Sequence, residues 1–133
     1  MSELEAGIVG GDLALLTAFY ERAFGFELTD RLEFDAVGVV LKFRRGAARM
    51  KVFAPEPPAT ERVTSDPWYG CAGWRYAALY LESADALREI VAAVEVNGGD
   101  VLIAPSSHRA DAVVAVVRDP EGNVWELLWE DGR

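Results

Sequence analysis

The chain has 133 residues, about half of them apolar, enough for one compact domain or two small modules sharing a core; its single cysteine, Cys71, cannot form an intramolecular bridge and suits a reducing cytosol. Thirteen basic and twenty-two acidic side chains leave a net charge of −9, and "KFRR" at 42–45 is the only basic cluster, so no compact basic patch is expected, nucleic acid is disfavoured as a partner, and cationic small molecules or metal ions are weakly favoured. No apolar stretch approaches the roughly 20 residues of a membrane span, and "MSELEAGIVGG" lacks the basic start and apolar run of a signal peptide, so the expected setting is soluble and cytoplasmic, with no membrane partner.

Residues 4–9 read as a short strand. A helix is predicted over 13–24: Asp12 can cap it, Leu13, Leu16, Phe19, Tyr20 and Ala23 recur at helical spacing, and Gly25 suits the left-handed position after it. Three strands follow, "FELTDRLEF" (26–34), "VGVVLKFRR" (37–45) and "RMKVFA" (49–54), the last two joined by a hairpin-sized turn at Gly46. The proline-rich stretch to Trp74 has no period of its own. A connection this long is often a lid or a partner-contacting arm. Its Trp68, Tyr69 and Trp74 either cover a pocket or pin the linker to the core.

The order then repeats. "RYAALYLE" (75–82) reads as a strand, Ser83 or Asp85 starts a helix carrying Leu87, Ile90, Val91 and Val94, and "NGG" at 97–99 stops it. "DVLIA" (100–104), "AVVAVVRD" (112–119) and "VWELLW" (124–129) complete the set, with "DPEGN" a tight turn before the last strand. Superposing the halves pairs Val40 with Ala115 and Lys51 with Glu126 at an offset of 75, and Leu16 with Leu87 at an offset of 71. The expected architecture is α+β, two βαβββ modules in a single domain over 1–133: module one 1–54, an arm 55–74, module two 75–133.

A doubled βαβββ module opening on "GGDLALLTAFYERAFGFEL" and closing on "DPEGNVWELLW" resembles the vicinal oxygen chelate superfamily, the group of glyoxalases, bleomycin-resistance proteins and extradiol dioxygenases. The resemblance runs from about residue 4 to 129. It implies sheets curled into an open cup, with four metal-ligand positions on the first and last strands of each module. Carried over by position, these are Glu5, Lys51, Tyr76 and Glu126. A lysine ammonium has no lone pair, neutral tyrosine is a poor ligand, and the one histidine, His108, falls in a connection expected to be solvated. The usual divalent-metal site is therefore expected to be absent.

Strand alternation sets Gly7 and Val9 beside Glu5, Arg49 and Phe53 beside Lys51, Ala78 and Tyr80 beside Tyr76, and Val124 and Leu128 beside Glu126. The opposite face, with Leu79, Leu81, Trp125, Leu127 and Trp129, would pack on helices or a partner subunit, which motivates a homodimer. Three readings of the cup stay open: an ion-pair network in which Lys51 neutralises Glu5 or Glu126, a ligand pocket, or a site where Glu126 is a general base. The favoured function is metal-independent small-molecule binding, similar to the drug-sequestering members, with no cofactor. The ligand would contact Glu5, Lys51, Phe53, Trp68, Trp74, Tyr76, Tyr80 and Glu126. The alternative is a lyase, isomerase or dioxygenase using a divalent metal such as Mn, Fe, Ni or Zn on Glu5 and Glu126.

Overall fold

The computed structural model describes residues 2–63, 65–107 and 109–133; His108 lies outside them. The chain divides into two compact units, Met1–Arg62 and Val63–Arg133. Each is a four-stranded mixed sheet with one α-helix, so the chain is an α+β protein of two repeated modules.

In unit one, β1 (Ala6–Val9), α1 (Leu13–Arg22), β2 (Glu27–Phe34), β3 (Gly38–Arg45) and β4 (Ala48–Pro55) give the sheet order β1-β4-β3-β2, with β1 parallel to β4. α1 starts where the Asp12 carboxylate accepts a hydrogen bond from the Leu15 N–H at 3.0 Å, supplying one of the orphan donors of the first turn. The β3–β4 hairpin turns in two residues because Gly46 takes φ +58°, a conformation that costs other residues energy. Leu16, Phe19 and Tyr20 of α1 are wholly buried, with Tyr20 ring centroids 5.4 Å from Phe24 and 6.1 Å from Phe43 on β3. Full burial contributes roughly 1.5–3 kcal/mol per large apolar side chain, so this aromatic cluster fixes which sheet face meets the helix.

Unit two runs β5 (Tyr76–Tyr80), α2 (Ala84–Val94), a short 3-10 turn (Glu95–Asn97), β6 (Asp100–Ser106), β7 (Ala112–Arg118) and β8 (Val124–Glu130), in the order β5-β8-β7-β6. Ser83 caps α2 by accepting from the Ala86 N–H at 3.0 Å. The β7–β8 turn is built differently from that of unit one. Asp119 is buried, and its carboxylate accepts from the Glu121 and Asn123 backbone N–H groups at 2.9 Å each and from Asn123 Nδ2 at 2.8 Å.

That longer turn changes one expectation. Lys42 pairs with Lys51 in unit one, whereas Val116 pairs with Glu126 in unit two. β4 and β8 therefore superpose at an offset of 75, but β3 and β7 at 74: Val40 corresponds to Val114, not to the buried Ala115. Because side chains alternate at a period of two, a slip of one residue exchanges the faces.

α2 packs on β6, β7 and β8, and Trp125 and Leu127 are 4% and 0% exposed. The apolar face that motivated a homodimer is thus largely covered within the chain, and only Trp129 on it stays half-buried. No helix among the described residues is long and apolar enough to cross a membrane.

Candidate functional site

Each unit leaves one sheet face uncovered by its helix, and the four positions singled out by sequence lie on these faces or at their edge. In unit one, register and alternation arrange the open face in rows across the strands. One row is apolar: Val9, Phe53, Val40 and Leu32. The next is Gly7, Lys51, Lys42 and Asp30, and beyond it Arg49 faces Arg44. Glu5 precedes β1, and its carboxylate lies 3.6 Å from Lys51 Nζ, the two side chains being 27% and 47% exposed. Arg49 pairs with Glu3 at 3.1 Å. The expectation of no compact basic patch is corrected here. The two-residue turn folds "KFRR" back onto "RMK", so Lys42, Arg44, Arg49 and Lys51 form one block.

On the open face of unit two the corresponding rows are Tyr80, Leu128, Val114 and Ser106; then Ala78, Glu126, Val116 and Ile103; then Tyr76, Val124, Arg118 and Asp100. Glu126 is half-buried and flanked by alanine and valine on the neighbouring strands. Within unit two, among the described residues, its carboxylate makes no hydrogen bond or ion pair. Tyr80 is 40% exposed, and the Arg133 guanidinium lies 3.5 Å above its ring. That contact shows the ring in use as a cation platform.

The arm divides its aromatic residues between two roles. Trp68 packs edge-on against Tyr76, ring centroids 5.4 Å apart, and against Tyr69 at 5.2 Å. Its carbonyl accepts from Arg75 Nη2 at 3.0 Å and from Ser65 Oγ at 3.1 Å, so this part of the arm is pinned to β5. Trp74 is 99% exposed. The same segment borders a cleft of about 420 Å³ lined in part by Ser65, Asp66, Arg75, Arg118, Asp119 and Val124. Arg75 Nη2 also reaches Ser65 Oγ at 3.3 Å, Arg118 Nη2 reaches the Ser65 carbonyl at 3.5 Å, and the buried Arg75 Nε has no partner among the described residues. Sequence reasoning missed this cleft, since it joins residues more than fifty positions apart. Of its lining, alternation had placed only Val124, beside Glu126.

The chemistry of the four positions is carboxylate, ammonium, phenol and carboxylate. Lys51 offers no lone pair, the Glu5 carboxylate already faces its ammonium, and the Tyr76 ring is packed against Trp68. Neither unit's pair fits a divalent cation, which takes anionic oxygens, imidazoles or thiolates. Among the described residues no group of three or more His, Cys, Asp or Glu side chains could hold one.

The family model of the Glyoxalase/Bleomycin resistance protein/Dioxygenase superfamily matches residues 4–127. Among solved structures, the glyoxylase/bleomycin resistance protein/dioxygenase domain from Frankia sp. EAN1pec aligns with a TM-score of 0.80 at 13% identity, covering 100% of this chain and 96% of that one. A glyoxalase family protein from Bacillus cereus gives 0.77 at 17%, covering 99% and 96%. A glyoxalase/bleomycin resistance protein from Albidiferax ferrireducens T118 gives 0.67 at 21%, covering 95% and 96%. At such identities the likeness shows the fold alone. A search of the curated proteins gives no match.

Proposed function

Since the chain belongs to the Glyoxalase/Bleomycin resistance protein/Dioxygenase superfamily, we propose that it is a small-molecule-binding member that works without a metal ion, of the drug-sequestering type. The observation that carries this reading is Lys51, whose ammonium stands 3.6 Å from Glu5 at a position where the superfamily resemblance puts a metal ligand. A fixed positive charge there does part of a cation's electrostatic work and repels a second cation.

Unit two supplies the ligand-facing chemistry. Glu126 is a carboxylate flanked by Ala78 and Val116 on the neighbouring strands, and Tyr76 and Tyr80 border it. A planar molecule with a cationic or zwitterionic group would give Glu126 a charge-assisted hydrogen bond and stack on the tyrosines, at about 0.5–2 kcal/mol per aromatic contact. Glu126 would also be the group to accept a proton if the ligand were turned over. The exposed thiol of Cys71 accords with a reducing cytoplasm. The homodimer retains one ground, the arm, where Val63, Tyr69 and Trp74 are 68%, 66% and 99% exposed.

The deciding experiment is metal analysis of protein purified without chelator, followed by Mn²⁺ titration of wild type and Glu126→Gln. The expected outcome is no stoichiometric metal and no tight Mn²⁺ site. One Mn²⁺ per wild-type chain, lost in Glu126→Gln, would overturn the reading in favour of a metal-dependent lyase, isomerase or dioxygenase.

A further inference from the structure

We propose that the open face of unit one binds a small organic dianion, its anionic oxygens held by Lys42, Arg44, Arg49 and Lys51. This deepens the small-molecule reading by naming a ligand class for the other sheet face.

The β3–β4 register sets Lys42 directly opposite Lys51 and Arg44 directly opposite Arg49, and alternation puts all four on the face away from α1. Cross-strand neighbours stand roughly 5 Å apart and alternate residues along a strand roughly 7 Å apart, so the four charges span a block of about that size. Like charges directly opposite one another destabilise a sheet. Two adjacent like pairs therefore need a reason, especially in a chain with only thirteen basic against twenty-two acidic side chains. A glutamate at any of the four positions would relieve the repulsion, and none is there.

The protein's own carboxylates answer only half of this charge. Glu3 pairs with Arg49 at 3.1 Å and Glu5 with Lys51 at 3.6 Å, each on a partly exposed side chain. The side chains of Lys42 and Arg44 make no hydrogen bond or ion pair among the described residues. Asp30, the register neighbour of Lys42 on β2, forms no ion pair with it. Two cations on adjacent alternate positions of one strand are thus left for an external anion. A planar guanidinium suits a phosphoryl or carboxylate group through two parallel N–H donors, and an ammonium adds a point charge beside it. The neighbouring row, Val9, Phe53, Val40 and Leu32, offers an apolar shelf next to the cations. The ligand class that fits both is a phosphate ester or dicarboxylate joined to an apolar body.

The test is calorimetric titration of the full chain in EDTA at low ionic strength, where screening is weakest, with phenyl phosphate, phenylsuccinate and inorganic phosphate as probes. At least one organic probe should bind with a Kd below about 10 mM, and the double variant Lys42→Ala/Arg44→Ala should weaken it at least about tenfold. Tighter binding of phenyl phosphate assigns a phosphate ester, and tighter binding of phenylsuccinate assigns a dicarboxylate. Arg88→Ala, an exposed change of net charge on α2, should leave the affinity unchanged. Amide chemical-shift changes in wild type should centre on residues 40–53, a readout that does not need the variant to fold. No binding of any probe, an equal loss in Arg88→Ala, or shift changes elsewhere would overturn the proposal. Mn²⁺ uptake by wild type would overturn the metal-independent reading and leave this one standing.

Discussion

Near the middle of its fourth strand the open face of unit one carries Lys51, and the open face of unit two carries Glu126. The two positions are equivalent, since Gly7 pairs with Lys51 as Ala78 pairs with Glu126. Their surroundings are not. Lys51 stands among Lys42, Arg44, Arg49 and Glu5, whereas Glu126 has Ala78, Val116 and, along its own strand, Val124 and Leu128. The helix-facing sides of the same sheets stayed alike, with Leu41, Phe43, Met50 and Val52 buried in one unit and Ala115, Val117, Trp125 and Leu127 in the other. A buried side can change only by repacking, so the repeat survives there. An open face is free to diverge, and the divergence made one wall cationic and left Glu126 on the other among apolar neighbours.

The turns differ as much as the faces, and changing them gives the largest expected effect. Asp119→Ala removes a buried carboxylate that satisfies three N–H donors, and should lower unfolding free energy by about 2–4 kcal/mol, read from the urea midpoint. Gly46→Ala in the other hairpin should cost about 1 kcal/mol, the strain of a positive φ. Equal losses would mean that the two turns hold their hairpins in the same way.

Replacing Glu126 sharpens the contrast between the faces. Glu126→Leu puts an apolar side chain among apolar neighbours and should stabilise the protein by about 0.5–1 kcal/mol while abolishing binding of a cationic ligand. A loss of stability in thermal melts would show that Glu126 has a structural partner. Lys51→Met should have the smallest effect. Its ion pair joins side chains that are 47% and 27% exposed, so pairing contributes about 0–1 kcal/mol, and removal also relieves the repulsion from Lys42. A loss of about 3 kcal/mol or more would instead mark Lys51 as the neutralising centre of a buried network.

Much of this was legible beforehand because the signals act over a few residues. Asp12 read as a cap and is one, and of Ser83 and Asp85 the cap is Ser83. The segments around Gly46 and "DPEGN" read as tight turns, and there Gly46 and Gly122 adopt φ +58° and +92°. The superfamily resemblance put Glu5 and Lys51 among one set of positions, and they lie 3.6 Å apart. Local patterns fell short where partner and register were needed. "KFRR" passed for an isolated cluster because its opposing Arg49 and Lys51 became visible only with the hairpin closed. The Trp125 face was left to helices or a partner subunit, and the cover that α2 provides is a packing fact.

By itself the sequence determined the order of elements, their caps and turns, since these follow from periodicity and local backbone preference, while the lysine, tyrosine and two glutamates were singled out by the superfamily resemblance. The tertiary structure alone decided that β3 and β7 superpose one residue away from β4 and β8, that four cations meet on one face, and that Arg75, Arg118 and Ser65 share a cleft. Those outcomes depend on turn length and on contacts between residues distant along the chain, and no local pattern encodes a distance between two strands until the turn between them has closed.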